Sequence, residues 1–143
     1  MVLFFITMGN SNNLDHAKHN EEVYRYLTDH PEYCDWIITT AFYSSIHYVR
    51  HKIFPYKGTL KNGKEIEYND FESLYFNFRK DSEGRHGFQL NWVKKNYEEI
   101  KFPYRRLHEL SNEARYINYQ FDTKKLLPEI NLHLKKIRLY CKK

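Results

Sequence analysis

One face of a long apolar segment carries side chains suited to acid–base and phosphate chemistry. The segment DWIITTAFYSSIHYVRH, residues 35–51, is apolar on nearly every side, which predicts a helix buried in the middle of a bundle. Tyr43, His47 and Arg50 follow one another at spacings of four and three residues, so they share one helix face. A phenol, an imidazole and a guanidinium on one face could bind an anionic group.

A second polar stripe has the same spacing later in the chain. In YRRLHELSNEARYI, the side chains of Tyr104, His108, Ser111 and Arg115 share one face of a predicted helix. If the two stripes face each other, they line a polar cleft that would suit a phosphate or a nucleotide. For His47 we favour a structural role, as a core histidine hydrogen-bonded to a tyrosine or to Ser111. The candidate ligand-binding residues are Tyr43, His47, Arg50, His108, Ser111 and Arg115.

Hydrophobic periodicity and capping residues predict the elements that position these stripes. The Asn-Gly pair in TLKNGKEIEY predicts a small β-hairpin or ordered loop inserted at residues 57–69. The first predicted helix extends from Asp15 to about Thr28, and the second from Pro31 to Phe54. The third covers FESLYFNFRK after a cap at Asn69 or Asp70, and the fourth covers FQLNWVKKNYEEIK. The fifth begins at Pro103 and covers YRRLHELSNEARYI, and the last begins at Asp122 or Thr123 and covers the last apolar stripe.

These elements predict an all-α fold, an antiparallel bundle of four or five helices with the small insertion. The chain has 143 residues, enough for one domain that buries roughly two thirds of its unfolded surface. We therefore expect a single helical domain at residues 14–143, preceded by an N-terminal extension at residues 1–13.

The last helix is strongly basic. From Tyr104 onward the chain has ten Lys and Arg against four Asp and Glu, an excess of six, whereas the whole chain has a net charge of +5. A basic helix face can contact the phosphates of a nucleic acid, although a merely solvated lysine-rich face has the same pattern. The candidate nucleic-acid-binding residues are Lys124, Lys125, Lys135, Lys136 and Arg138.

Other sequence features exclude several classes of protein. Cys34 and Cys141 are isolated, so we expect neither a zinc site nor a disulfide framework, and a reducing cytoplasm fits best. His16, His19 and Glu22 have helix-face spacing, but a solvated face explains them better than a metal. The apolar start MVLFFITM is much shorter than the roughly 20 residues of a spanning helix. We therefore predict no metal, no cofactor and no membrane association.

Three segments together resemble a known family. DWIITTAFYSSIHYVR, GRHGFQLNWV and YRRLHELSNEARY occur in the order seen in small bacterial proteins of the HEPN superfamily. The shared pattern is an Asp-Trp pair, a Tyr-rich helix with an Ile-His pair, a loop histidine, and a Leu-x-x-Ser-x-x-Ala-Arg-Tyr segment. The resemblance covers about residues 14 to 140, although each motif is short.

The resemblance implies an all-α bundle, usually a homodimer, that is associated with RNA and with defence or toxin–antitoxin systems. Many members are metal-independent ribonucleases with an Arg, four to six residues and then a His, and both subunits contribute to one cleft. In this chain six residues, KDSEGR, separate Arg79 from His86, and Arg85 directly precedes His86. The resemblance therefore implies His86 as acid–base catalyst and Arg79 or Arg85 as phosphate ligand.

Metal-free RNA cleavage needs a base for the 2′-hydroxyl, a cation for the phosphate and an acid for the leaving oxygen. One histidine with one or two arginines can supply these groups. The alternative for His86 is an exposed loop residue or helix cap. The alternative for the chain is a catalytically inactive HEPN-like module that binds a nucleotide or a protein partner, an antitoxin included.

Overall fold

The computed structural model describes residues 12–116 and 122–143, and residues 1–11 of the predicted N-terminal extension lie outside this part. Short 3₁₀ turns at Pro31–Tyr33 and Glu98–Ile100 join some of the helices. The elements within the described residues are α1 (Asn13–Leu27), α2 (Cys34–Ile53), β1 (Tyr56–Thr59), β2 (Glu65–Tyr68), α3 (Phe71–Phe78), α4 (Arg85–Asn96), α5 (Lys101–Tyr116) and α6 (Thr123–Cys141).

Helix α2 lies at the centre of the molecule. It packs against α1, α5 and α6, and its apolar side chains are buried on most of its circumference. The fully buried ones are Ile37, Ile38, Ala41, Phe42 and Val49. The prediction of a buried central helix is therefore confirmed, although the α-helix begins at Cys34 because the segment after His30 forms a 3₁₀ turn first.

The predicted hairpin is also confirmed. Strands β1 and β2 pair antiparallel in a register that sets Tyr56 opposite Tyr68. In the turn, Gly63 has a φ of 84°, which glycine adopts without the strain that a Cβ would bring. The Asn62 side chain accepts a hydrogen bond from the backbone N–H of Lys64. The Asn-Gly pair thus closes the turn that the sequence predicts.

Aspartate side chains cap the N-termini of two helices. The sequence predicts Asn69 or Asp70 as the cap of the first, and Asp122 or Thr123 as the start of the second. The side chain of Asp70 accepts a hydrogen bond from the backbone of Ser73 at the start of α3. Asp122 accepts one from the backbone of Lys125 at the start of α6. Each cap satisfies one of the backbone N–H groups that a helix N-terminus leaves unpaired.

The described part of the chain is a helical bundle with one small two-stranded sheet, as the sequence predicts. Helix α4 packs against α5, and α5 packs against both α2 and α6. Among the described helices, each is too short or too polar to traverse a lipid bilayer. The arrangement brings the first turn of α4 to the place where α2 and α5 meet.

Candidate functional site

Four polar side chains from three helices converge at this meeting point, and we call them the histidine cluster: Tyr43, His86, His108 and Arg115. The imidazole centroids of His86 and His108 lie 6.5 Å apart. The ring of Tyr43 stacks on that of His86 at 6.4 Å, and Arg115 donates a hydrogen bond of 3.1 Å to the Tyr43 hydroxyl. All four side chains are partly exposed. A ligand can therefore reach them from solvent.

A buried phenylalanine forms the floor of the cluster. Phe42 is fully buried, and its ring centroid lies 5.7 Å from that of His86 and 5.3 Å from that of His108. Both contacts are edge-on, a favourable geometry for aromatic rings. On its other side Phe42 contacts the buried ring of Tyr104 at 5.8 Å. The two imidazoles are thus held by the rigid core of α2.

Helical periodicity explains why these side chains meet. His86 is the second residue of α4, so it lies at the helix start, two residues after the N-cap Gly84. His108 and Arg115 are seven residues apart in α5, which is about two turns, and they therefore lie on one face. Tyr43 lies on the face of α2 that meets α5. The two predicted polar stripes therefore face each other at one pair of residues, Tyr43 and Arg115.

Arg115 is held by oxygen acceptors and carries no carboxylate partner among the ion pairs of the described residues. Its Nε donates to the backbone oxygen of Ser111 at 3.3 Å, and its Nη2 donates to the side chain of Asn112 at 3.2 Å. These bonds orient the guanidinium without neutralising it. A positive charge beside two imidazoles is a suitable place for a phosphate.

Both imidazoles in the cluster favour the neutral form. Burial lowers the pKa of His86, and the charge of Arg115 lowers it further. Burial and Arg115 also lower the pKa of His108. At neutral pH each ring therefore has one unprotonated nitrogen that can accept a proton. A bound phosphate would oppose the effect of Arg115 and favour the protonated form.

Arg50 stands beside the cluster, and its side chain contacts α3 and α4. Its Nε donates to the Gln89 side chain at 2.9 Å, and its guanidinium lies 3.9 Å from the centroid of the Phe71 ring. Gln89 is buried and donates in turn to the backbone oxygen of Ile46 at 3.0 Å. The two hydrogen bonds of Gln89 connect α4 to α2. They set the position of the helix that carries His86.

Arg79 and Arg85 lie on the other side of the first turn of α4. Both guanidinium groups stand over the rings of Tyr75 and Phe76 in α3, at 5.0 to 5.5 Å from the ring centroids. Arg85 also forms a two-bond ion pair with Glu72, at 2.8 and 2.9 Å. Burial lowers the pKa of His86 most, followed by the charges of Arg115, His108 and Arg50, and neither Arg79 nor Arg85 is among these causes.

His47 and Ser111 lie outside the cluster. His47 faces α1, where its Nδ1 is 3.4 Å from the side-chain oxygen of Asn13 and its ring is 4.8 Å from that of His16. Its partner is thus an asparagine, and the expectation of a tyrosine or Ser111 was wrong. Burial, followed by the charges of Arg50 and His16, lowers the pKa of His47 to about 4. Ser111 is buried, and its backbone oxygen accepts from Arg115.

The basic residues of α6 divide into two groups. The four lysines 124, 125, 135 and 136 are exposed. Arg138 donates to the buried carboxylate of Glu21 and so links α6 to α1. The lysines are therefore available to an anionic partner, whereas the guanidinium of Arg138 is engaged within the bundle.

Two features of the cluster lie beyond the sequence prediction. The sequence assigned His86 and His108 to different sites, because the 21 residues between them carry no pattern that indicates a contact. The role of Phe42 as a shared floor depends on tertiary packing alone.

Among the described residues, no group of three or more His, Cys, Asp or Glu side chains is arranged to hold a metal ion.

Comparison with known proteins adds no family to these observations. No protein-family model matches this chain, and the comparisons with curated proteins and with solved structures found no match.

Proposed function

We propose that this chain is a HEPN-like RNA-binding protein that cleaves RNA without a metal ion at the histidine cluster. The observation that carries the proposal is the convergence of His86 and His108, 6.5 Å apart, beside the guanidinium of Arg115 and the phenol of Tyr43. This set provides two groups for proton transfer and one cation for a phosphate. The resemblance to the HEPN superfamily supplies the substrate class.

The reaction is a transfer within the RNA backbone. One imidazole takes the proton of a 2′-hydroxyl, and the 2′-oxygen attacks the adjacent phosphorus. The bond from phosphorus to the 5′-oxygen breaks, and the second histidine, protonated when the phosphate is bound, gives its proton to that oxygen. Arg115 and the hydroxyl of Tyr43 stabilise the charge that develops on the phosphate.

In this proposal Arg79 and Arg85 are not the ligands of the scissile phosphate, which is the role that the sequence pattern implies for one of them. Arg79 and Arg85 contact Tyr75, Phe76 and Glu72 beside the site. From there, they would contact the phosphates that flank the scissile one. Arg115 is the phosphate ligand at the scissile position. A homodimer, an antitoxin partner and a role in defence are further parts of the proposal that come from the resemblance. The cytoplasmic location comes from the two isolated cysteines, Cys34 and Cys141.

The test is cleavage of a labelled single-stranded RNA by the purified protein in the presence of EDTA. We expect His86→Ala and His108→Ala each to lower the rate by about 10²- to 10⁴-fold, the usual contribution of an acid–base group. Arg115→Gln should also abolish most of the activity. A matched DNA strand should stay intact because it lacks the 2′-hydroxyl.

The controls are the exposed histidine substitution His19→Ala and a circular dichroism spectrum of each variant. Arg79→Ala should retain most of the activity, since its side chain lies over the α3 rings. If folded His86→Ala and His108→Ala proteins both cleave RNA at the wild-type rate, the proposed chemistry is wrong.

A second candidate function is nucleotide or RNA binding without cleavage. It is favoured by the lowered pKa values of both histidines, because a general acid must be protonated and both rings favour the neutral form. The same assay separates the two functions. Binding that Arg115→Gln weakens, with no cleavage product from the wild-type protein, would assign the cluster to recognition alone.

A further inference from the structure

A groove separate from the histidine cluster runs between the hairpin, the end of α3 and the outer face of α4. Its volume is about 730 Å³, within the range of roughly 300–1,000 Å³ that is common for small-molecule sites. Aromatic rings, lysines and amides line it together. The lining residues on which its chemistry depends include Tyr56, Lys80, Glu83, Trp92, Lys94 and Lys95.

The aromatic wall of the groove is held in place by its own contacts. The rings of Tyr56 and Trp92 meet edge to face, with centroids 5.1 Å apart. Trp92 also contacts Phe88 at 6.3 Å, and Phe88 belongs to the buried core. A set of rings fixed in this way forms a platform on which a flat ligand can stack.

The charge of the groove favours an anionic ligand. Lys80, Lys94 and Lys95 are exposed, and none of the ion pairs between described residues involves them. Among the described residues that line the groove, the acidic one is Glu83, which already accepts from Asn91 at 2.9 Å and from the backbone of Lys80 at 3.2 Å. The lining therefore has more unpaired positive than negative charge.

We propose that this groove is a subsite for unpaired bases of single-stranded RNA, which stack on Tyr56 and Trp92 while Lys80, Lys94 and Lys95 contact their phosphates. Aromatic platforms in a positively charged groove are typical of single-strand binding. A protein partner is a poorer fit, because lysine is depleted in protein–protein interfaces. The inference rests on the proposed function for the choice of RNA as the ligand.

The groove and the histidine cluster are linked through α4. His86 lies in the first turn of this helix and Lys94 lies eight residues later, which is about 12 Å along the axis. That distance is about three or four nucleotides of a stacked strand at roughly 3.4 Å each. The charge of Lys94 also contributes to the lowered pKa of His108. One strand could therefore occupy both places.

The test uses the fluorescence of Trp92. The chain has two tryptophans, and the other, Trp36, is 57 % exposed, so Trp36→Phe leaves Trp92 as the single reporter with little effect on packing. The probe is a short single-stranded 2′-O-methyl oligoribonucleotide, which lacks the free 2′-hydroxyl and cannot be cleaved. We expect saturable quenching of the Trp92 emission, since a base stacked on the indole quenches it.

Two lysine variants test the charge. Lys94→Gln combined with Lys95→Gln should weaken binding at least fivefold and lower the slope of log K against log salt by about 1.4, or about 0.7 for each lost phosphate contact. The matched control removes the same charge at the hairpin tip, with Lys61→Gln and Lys64→Gln, and should bind as the wild type does. All four side chains are exposed, so the variants should fold.

The outcomes distinguish this inference from the proposed function. If fluorescence anisotropy shows RNA binding and unmodified RNA is cleaved, but the Trp92 emission does not change, the groove is not a base subsite and the proposed function stands. If Trp92 is quenched but unmodified RNA stays intact, the subsite is supported and the cleavage proposal fails. A Trp92 emission that responds to protein concentration instead of RNA would assign the groove to a protein contact and overturn the inference.

Discussion

Two adjacent residues at the start of α4 illustrate how sharply a helix separates side chains. Successive residues of an α-helix point about 100° apart. Arg85 therefore reaches Glu72 in α3, while His86 reaches Phe42 and His108. This rotation explains why the two side chains reach different neighbours. A sequence motif that only counts the residues between an arginine and a histidine does not take the rotation into account.

His47 gives a prediction about the pH dependence of stability. Its pKa is about 4 in the folded protein and about 6.5 in the unfolded chain, so the unfolded state binds more protons between these values. Its contribution is fully present above pH 6.5 and is lost as the pH falls towards 4. In urea unfolding, His47→Gln should reduce the stability lost between pH 7 and pH 5 by about 1–2 kcal/mol.

The exposed His19→Gln variant is the control for this measurement. It should lose the same stability as the wild type over that interval. If His47→Gln and wild type lose equal stability between the two pH values, His47 is not held in the neutral form by its surroundings.

The candidate site could be predicted from the sequence only in part. The spacing of Tyr43 and of Arg115 placed each on a polar face, and the two do meet. His47 shares the spacing of Tyr43 but turns to α1, because α2 is surrounded by neighbours and helical phase alone does not specify which one a residue meets. The groove at Trp92 was missed, although an aromatic residue close to Lys94 and Lys95 is a signal that could have indicated it.

At the scale of elements, one buried carboxylate joins three helices. Glu21 of α1 is only 6 % exposed, and it accepts hydrogen bonds from Tyr48 of α2 and from Arg138 of α6, as well as from Arg25 in its own helix. A buried charge is tolerated when its partners satisfy it and is costly when one of them is removed. This node therefore fixes how α1 and α6 dock on α2.

Glu21→Gln should destabilise the protein by about 2–3 kcal/mol, because it leaves the partly buried guanidinium of Arg138 without its carboxylate. The measurement is the free energy of unfolding in urea. Glu22→Gln, one residue later and exposed, is the matched control and should stay within about 0.5 kcal/mol of the wild type. Equal stabilities of the two variants would contradict the role of this node.

The elements themselves were largely predictable. The hairpin and the caps at Asp70 and Asp122 depend on local backbone chemistry, which sequence specifies directly. The start of α2 was predicted three residues early because Pro31 suits the first turn of an α-helix and of a 3₁₀ turn equally well. The neighbours of each helix were not predictable in the same way, because they depend on packing contacts between residues that are distant in sequence.

At the scale of the molecule, the exposed positive charges include the lysines of the groove beside α4, the lysines of α6 and those of the hairpin tip. The net charge of +5 favours association with polyanions in general. The number of phosphates that a protein contacts determines how steeply its affinity falls with salt. The salt dependence of RNA binding therefore shows how much of this surface the ligand covers.

If the α6 lysines contact RNA, replacing Lys124, Lys125, Lys135 and Lys136 by Gln should weaken binding and lower the salt slope by about 3, at roughly 0.7 for each phosphate on a single strand. Anisotropy titrations over a range of salt concentrations provide the measurement. A slope equal to that of the wild type would mean that these lysines form a merely solvated face.

The position of Phe42 has a consequence for how such a protein can change through evolution. Its ring contacts both His86 and His108, so one substitution at position 42 displaces the two imidazoles together. A leucine there would keep most of the apolar packing around α2 while removing both edge contacts. If the cluster cleaves RNA as we propose, this single substitution would remove cleavage and leave binding, with every polar residue of the cluster still present in the sequence.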